Sequence, residues 1–101
     1  MRRTMKYVKV EIVWGDFLPI YFCAPMSYYT QDAVNRIRRV DAEEPKFWKE
    51  VIIEEFEADD PPYRVTDELA FCDALYAISF VAEVARNYHL DYVEQTKEDE
   101  Q

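Results

Sequence analysis

Only one glycine, Gly15, occurs among the 101 residues of this chain. Loops that cradle phosphate or wrap Ca²⁺ need glycine at fixed positions, where the backbone turns sharply or approaches a ligand closely. Walker, Rossmann and EF-hand loops are therefore excluded together. The chain has to be punctuated by other residues, and its five prolines mark most of the breaks.

Residues 5–14 set Val8, Val10, Ile12 and Trp14 on one face and Lys9 and Glu11 on the other, the period-two pattern of a half-buried strand. Gly15-Asp16 then invites a turn, and Ile20 to Cys23 reads as a second strand. The expectation is a β-hairpin over about 5–14 and 20–24. A two-residue turn would place Pro19 opposite Ile12 at a hydrogen-bonded pair, and proline has no N–H to give. A wider loop over 15–19, or a bulge, is therefore expected, with the second strand at a sheet edge.

Pro25 ends that strand, and a helix is expected over 30–40. Thr30 is its cap, Val34, Ile37 and Val40 its inner side, and Arg36, Arg38 and Arg39 suit the negative end of its dipole. Pro45 fits the first turn of another helix. Residues 46–58 are ambiguous. On a helical wheel Phe47, Trp48, Val51, Ile52 and Phe56 fall within half the circle and only Ile53 is misplaced. As a third strand, Ile52, Phe56 and Ala58 share a face that Glu54 interrupts. Acids crowd the C-terminal end of this segment, against the dipole, but periodicity favours the helix.

Asp59-Asp60-Pro61-Pro62 is the clearest stop in the chain. Thr66 caps a last helix over 66–88, with Asp67 and Glu68 well placed in its first turn. Phe71, Leu75, Ile78, Val81, Val84 and several alanines make it apolar nearly all round, so a central position is expected. The reading is an α+β domain over 1–93, a hairpin on about three helices, followed by a disordered acidic tail over 94–101.

Composition narrows function. Twelve Lys and Arg stand against 21 Asp and Glu, a net charge of −9, which disfavours a direct grip on nucleic acid or anionic lipid. The basic start, Arg2-Arg3, resembles a signal n-region, yet the alternating segment holding Lys9 and Glu11 is no h-region. No apolar run approaches the ~20 residues that span a bilayer. A cytoplasmic location is expected. Cys23 and Cys72 lie in apolar runs and read as reduced core thiols.

No catalytic constellation emerges. His89, the only histidine, reads as a residue at the end of the last helix, and nothing places it beside either thiol. Ser27 and Ser79 lack a nucleophile-elbow context. No metal and no cofactor are expected, because the acid run has no glycine for a Ca²⁺ turn.

Charge distribution says more than its total. Residues 1–40 hold seven basic and three acidic side chains, a net of +4; residues 41–101 hold five and 18, a net of −13. A partner with a basic surface would relieve the self-repulsion of the acidic part. Aromatics are abundant, at 16 % of residues, and Tyr28, Tyr29 and Tyr63 fall in expected loops. Tyr76 and Phe80 lie one helical turn apart on the polar arc that also carries Asp73, Glu83 and Asn87. An aromatic pair rimmed by acids is the anatomy of an interface anchor. The expected partner-binding residues are Glu54, Glu55, Glu57, Asp59 and Asp60, with Tyr76 and Phe80 as the apolar anchor.

In size and charge the chain resembles small acidic DNA mimics of phage, such as anti-CRISPR and anti-restriction proteins. It is similar in the same way to acidic immunity proteins that plug basic nuclease toxins. That resemblance implies a non-catalytic inhibitor seated on the nucleic-acid site of another protein; it carries no motif, so no residue role is transferred. The competing expectation is a structural or assembly subunit that self-associates, for example as a homodimer, through its aromatic surface.

Overall fold

The computed structural model describes residues 4–16, 18–44, 46–62 and 64–99. They form β1 (Met5–Val13), β2 (Ile20–Pro25), α1 (Tyr28–Asp41), β3 (Glu50–Ala58) and α2 (Glu68–Asp99). The antiparallel sheet has the order β2-β1-β3, with both helices on one face. Pro45 and Tyr63, which the sequence places in a helix start and a loop, lie outside the described residues, as do Arg2, Arg3 and residues 100–101.

The hairpin forms with Ile12 opposite Ile20, one residue wider than a two-residue turn allows. That single residue decides which face is buried. It sets Ala24, Phe22 and Ile20 beside Val8, Val10 and Ile12, all on the core side. Gly15 sits in the loop at φ +118°, a conformation that L side chains rarely adopt. No atom stands within 4 Å of where its Cβ would be, so the constraint is conformational rather than steric. Gly15→Ala is accordingly expected to cost about 1–3 kcal/mol, checked by urea unfolding.

The helix expected over 46–58 is overturned: residues 50–58 are the third strand, and the described residues form two helices instead of three. Three physical terms act together. Val51 and Ile53 reach the core side opposite Ile12 and Val10. Three consecutive β-branched residues fit a pleated strand better than a helix turn. The interruption at Glu54 vanishes because it faces Lys9 across the ladder, with Nζ to Oε2 at 2.9 Å. On that same outer face Phe56 stacks on Tyr7, ring centroids 5.8 Å apart.

Both helices also start differently from expectation. Ser27, not Thr30, caps α1; Thr30 is the third helical residue and completes a capping box, its hydroxyl accepting from the Ser27 N–H. Asp67, not Thr66, accepts from the Ala70 N–H, while Thr66 ties the chain to β2 by donating its N–H and hydroxyl to the Cys23 carbonyl. α2 continues to Asp99, helical through 94–99 where the sequence suggests a disordered tail. Glu94, Gln95, Lys97 and Glu98 are good helix formers, and no glycine or proline stops them.

α2 is not central. Phe71, Cys72, Leu75, Ser79 and Ala82 are buried along one side, and none of residues 83–92 is. With only three strands and α1 beside it, nothing among the described residues covers its outer side. Leu69, Phe80, Val81, Val84 and Tyr88 are all exposed there.

Candidate functional site

α1 and α2 lie side by side and run the same way. Ser27 donates to Glu68, Asp32 accepts from Tyr76, and Arg36 pairs with Glu83, in rising order along both helices. Their N-terminal ends therefore meet at one end of the molecule. Between them opens a groove of about 490 Å³ lined by Tyr29, Glu68, Leu69, Cys72, Asp73 and Tyr76. Tyr28 stands edge-on to Tyr29 at 5.7 Å and is itself exposed.

Its chemistry is apolar and anionic. Leu69 is 71 % exposed, Tyr29 67 % and, one turn beyond Tyr76, Phe80 65 %. Glu68 and Asp73 line the groove, Asp32 is bonded to Tyr76, and among the described residues no Lys or Arg lines it. The titrating groups register that field. Burial pushes the Cys72 thiol above its ordinary value, and the charges of Glu68, Asp73 and Asp32 push it further. The hydrogen bond to Asp32, with some burial and the carboxylate's charge, holds Tyr76 at about 12. A raised tyrosine pKa favours the folded state only while the phenol is protonated. That contribution is complete below the ordinary value near 10 and is lost as pH rises through about 12. Following phenolate absorbance, Tyr76 should titrate late, and Asp32→Asn should bring it back towards 10 while leaving Tyr21, which burial also raises, unchanged.

The acid run is a different surface. Glu54, Glu55 and Glu57 lie on β3, with Asp59 and Asp60 following it, at the sheet edge away from β2. α2 packs instead on α1 and β2. Tyr76 and Phe80 are thus an aromatic pair on one helix face, on a different element from the β3 acids. Two of those acids are already answered: Glu54 by Lys9 and Glu55 by Lys6 at 4.0 Å. Glu54 in turn raises the Lys9 ammonium pKa, first through its hydrogen bond and then through its charge. Arg36 with Glu83 adds a third pair between the basic first 40 residues and the acidic remainder. Charges segregated along the sequence are partly interleaved in space.

No protein-family model, curated protein or solved structure matches this chain. The candidate site therefore rests on its own geometry. Cys72 and His89 lie 17 residues apart on one helix, about 25 Å at 1.5 Å per residue. Cys23 is buried in β2, and burial raises its pKa too. Among the described residues, no three His, Cys, Asp or Glu side chains come together so as to hold a metal ion. No described helix is long and apolar enough to cross a membrane.

Sequence reasoning singled out Tyr76, Phe80 and Tyr29 but missed Leu69, Glu68 and Cys72 as their neighbours. A signal existed for one of them: Leu69 precedes Tyr76 by seven residues, two helical turns, on the same face. Nothing in the sequence reveals that α1 brings Tyr29 alongside.

Proposed function

We propose that this chain is a non-catalytic protein-binding inhibitor or modulator. It occupies a basic, nucleic-acid-binding surface of a partner protein, in the manner of phage DNA mimics and toxin-immunity proteins. The observation that carries this reading is the exposed aromatic face of α1 and α2 set among carboxylates, with no cation lining its groove among the described residues. A net charge of −9 supports fast, steered and salt-dependent association with a basic surface.

The test is capture from host lysate on the immobilised chain, eluted across a salt gradient. Recovery of a basic nucleic-acid enzyme whose activity the free chain inhibits supports the reading. Capture that is indifferent to salt, or a partner unaffected in nucleic-acid binding, overturns it. Glu57→Lys with Asp60→Lys spares the Glu54 and Glu55 carboxylates that Lys9 and Lys6 meet, and Glu57→Gln with Asp60→Asn controls for the lysine placed opposite Lys6. If the β3 acids belong to the interface, this double reversal should weaken capture by about tenfold or more.

One observation favours the assembly reading. The outer side of α2 exposes Phe80, Val81, Val84 and Tyr88 in a helical stripe. Light scattering after size exclusion decides: a salt-insensitive oligomer favours assembly, and a monomer favours the inhibitor.

A further inference from the structure

We propose that the groove between the starts of α1 and α2 is the docking site for a cationic segment of the partner protein, anchored by an apolar side chain. This inference rests on the basic-partner reading and places it on Tyr29, Leu69, Asp73 and Tyr76 rather than on the β3 acids.

Three observations identify the occupant. First, the lining of the groove is part apolar and part anionic. Leu69, Tyr29 and Tyr76 offer contact area, while Glu68 and Asp73 stand beside them with no Lys or Arg lining among the described residues. An arginine or lysine that reaches Asp73 while its apolar neighbour settles between Tyr29 and Leu69 satisfies both halves. A guanidinium can also stack on an exposed tyrosine ring. Second, a second copy of the chain does not fit. An isologous contact through this face would bring the carboxylates of Glu68 and Asp73 towards their own counterparts, and like charges facing each other cost affinity. Third, the groove is open, with Leu69 and Tyr29 about two-thirds exposed or more. A small-molecule site buries most of its ligand, whereas exposed aromatic anchors at a groove mouth are interface anatomy.

The receiving groups are also held in place before any partner arrives. Ser27, the α1 cap, donates to Glu68, and Tyr76 donates to Asp32, so two carboxylates and one ring are fixed by contacts between the helices. Less ordering entropy remains for binding to remove. Asp73, exposed one turn after Leu69, is the carboxylate left to meet a cation.

The probe is a fluorescent amphipathic helical peptide of lysine and leucine, with a glutamate–leucine peptide as control, titrated into the full chain. Anisotropy gives the affinity, and amide shifts give the place. The expected result is that only the lysine peptide binds, with shifts centred on Tyr29, Leu69, Cys72, Asp73 and Tyr76. Asp73→Lys and Leu69→Ser, both at exposed positions, should each weaken it by about tenfold, whereas Glu57→Lys with Asp60→Lys leaves it within about twofold. Shifts on β3, lost on reversing Glu57 and Asp60 but not Asp73, overturn the groove while the basic-partner reading stands. Absence of lysine-peptide binding at either surface overturns both. Equal binding of the two peptides, or oligomerisation through Leu69 and Phe80, overturns the charge argument in favour of an apolar or self-associating face.

Discussion

Phe71→Ala is expected to cost about 3–5 kcal/mol of folding stability. Phe80→Ala, nine residues along the same helix, is expected to cost less than about 0.5 kcal/mol. The residue type and the element are identical, so helix propensity cancels and only position differs. Phe71 is fully buried between α2 and the sheet, and its removal leaves a cavity that neighbouring side chains fill only in part. Phe80 is 65 % exposed and leaves no cavity. A domain of this size has about 5–15 kcal/mol in total. At roughly 4–8 °C per kcal/mol, the Phe71 variant should melt about 12–40 °C lower, and the Phe80 variant within a few degrees of the parent. Calorimetry on both variants checks this. Equal losses would mean that Phe80 is covered, and the case for an exposed aromatic face would fall with it. If Phe80 proves neutral for stability yet weakens partner capture, its exposure serves binding and not folding.

Why some of this was legible and some was not follows from where the information sits. The hairpin was readable because Val8, Val10 and Ile12 alternate with Lys9 and Glu11, a pattern that belongs to one strand alone. Pro19 then fixed the loop width by chemistry, through its missing N–H. The Tyr76–Phe80 pair was readable for the same reason, since helical spacing is local. Segment 46–58 was not. Its helical appearance came partly from Phe47 and Trp48, which precede the strand, and its one defect as a strand was cured by Lys9, some 45 residues away. The charge segregation misled in the same way. Residues 1–40 are basic and the remainder acidic, but the order β2-β1-β3 lays Lys9 directly opposite Glu54 and Lys6 opposite Glu57 and within 4.0 Å of Glu55. What survives as unanswered negative charge is therefore a matter of place. The groove is such a place: its lining carboxylates, Glu68 and Asp73, both stand on α2, and no cation lines it among the described residues.

Trp48→Ala is expected to cost about as much as Phe71→Ala, about 3–5 kcal/mol, and to act on β3 in particular. Trp48 is buried, although it stands in the connection ahead of the strand. Its indole N–H donates to Asp41 Oδ1 at 2.8 Å, at the last residue of α1. Its ring meets Trp14 edge-on at 6.1 Å, and Trp14 meets Phe47 edge-on at 5.0 Å. Trp14 directly follows β1, so the three rings join the end of α1, the end of β1 and the approach to β3. Immediately after Trp48, the Lys49 N–H donates to the Val13 carbonyl at 2.8 Å and sets the register that β3 keeps. Alanine removes the ring and the N–H together, so the first pairs of β3, Val13 with Glu50 and Ile12 with Val51, lose their anchor. Amide exchange should accelerate over 49–53 more than in the β1–β2 hairpin, which has its own loop. Trp48→Phe separates the two contributions: it retains most of the ring and loses the hydrogen bond, while Asp41 keeps Lys46 at 3.6 Å. That variant should cost about 1 kcal/mol. If Trp48→Ala loses less than about 1 kcal/mol, or if exchange rises equally across all three strands, the aromatic cluster does not hold β3 in the sheet. Pairing with β1 would then be sufficient by itself to make this segment a strand.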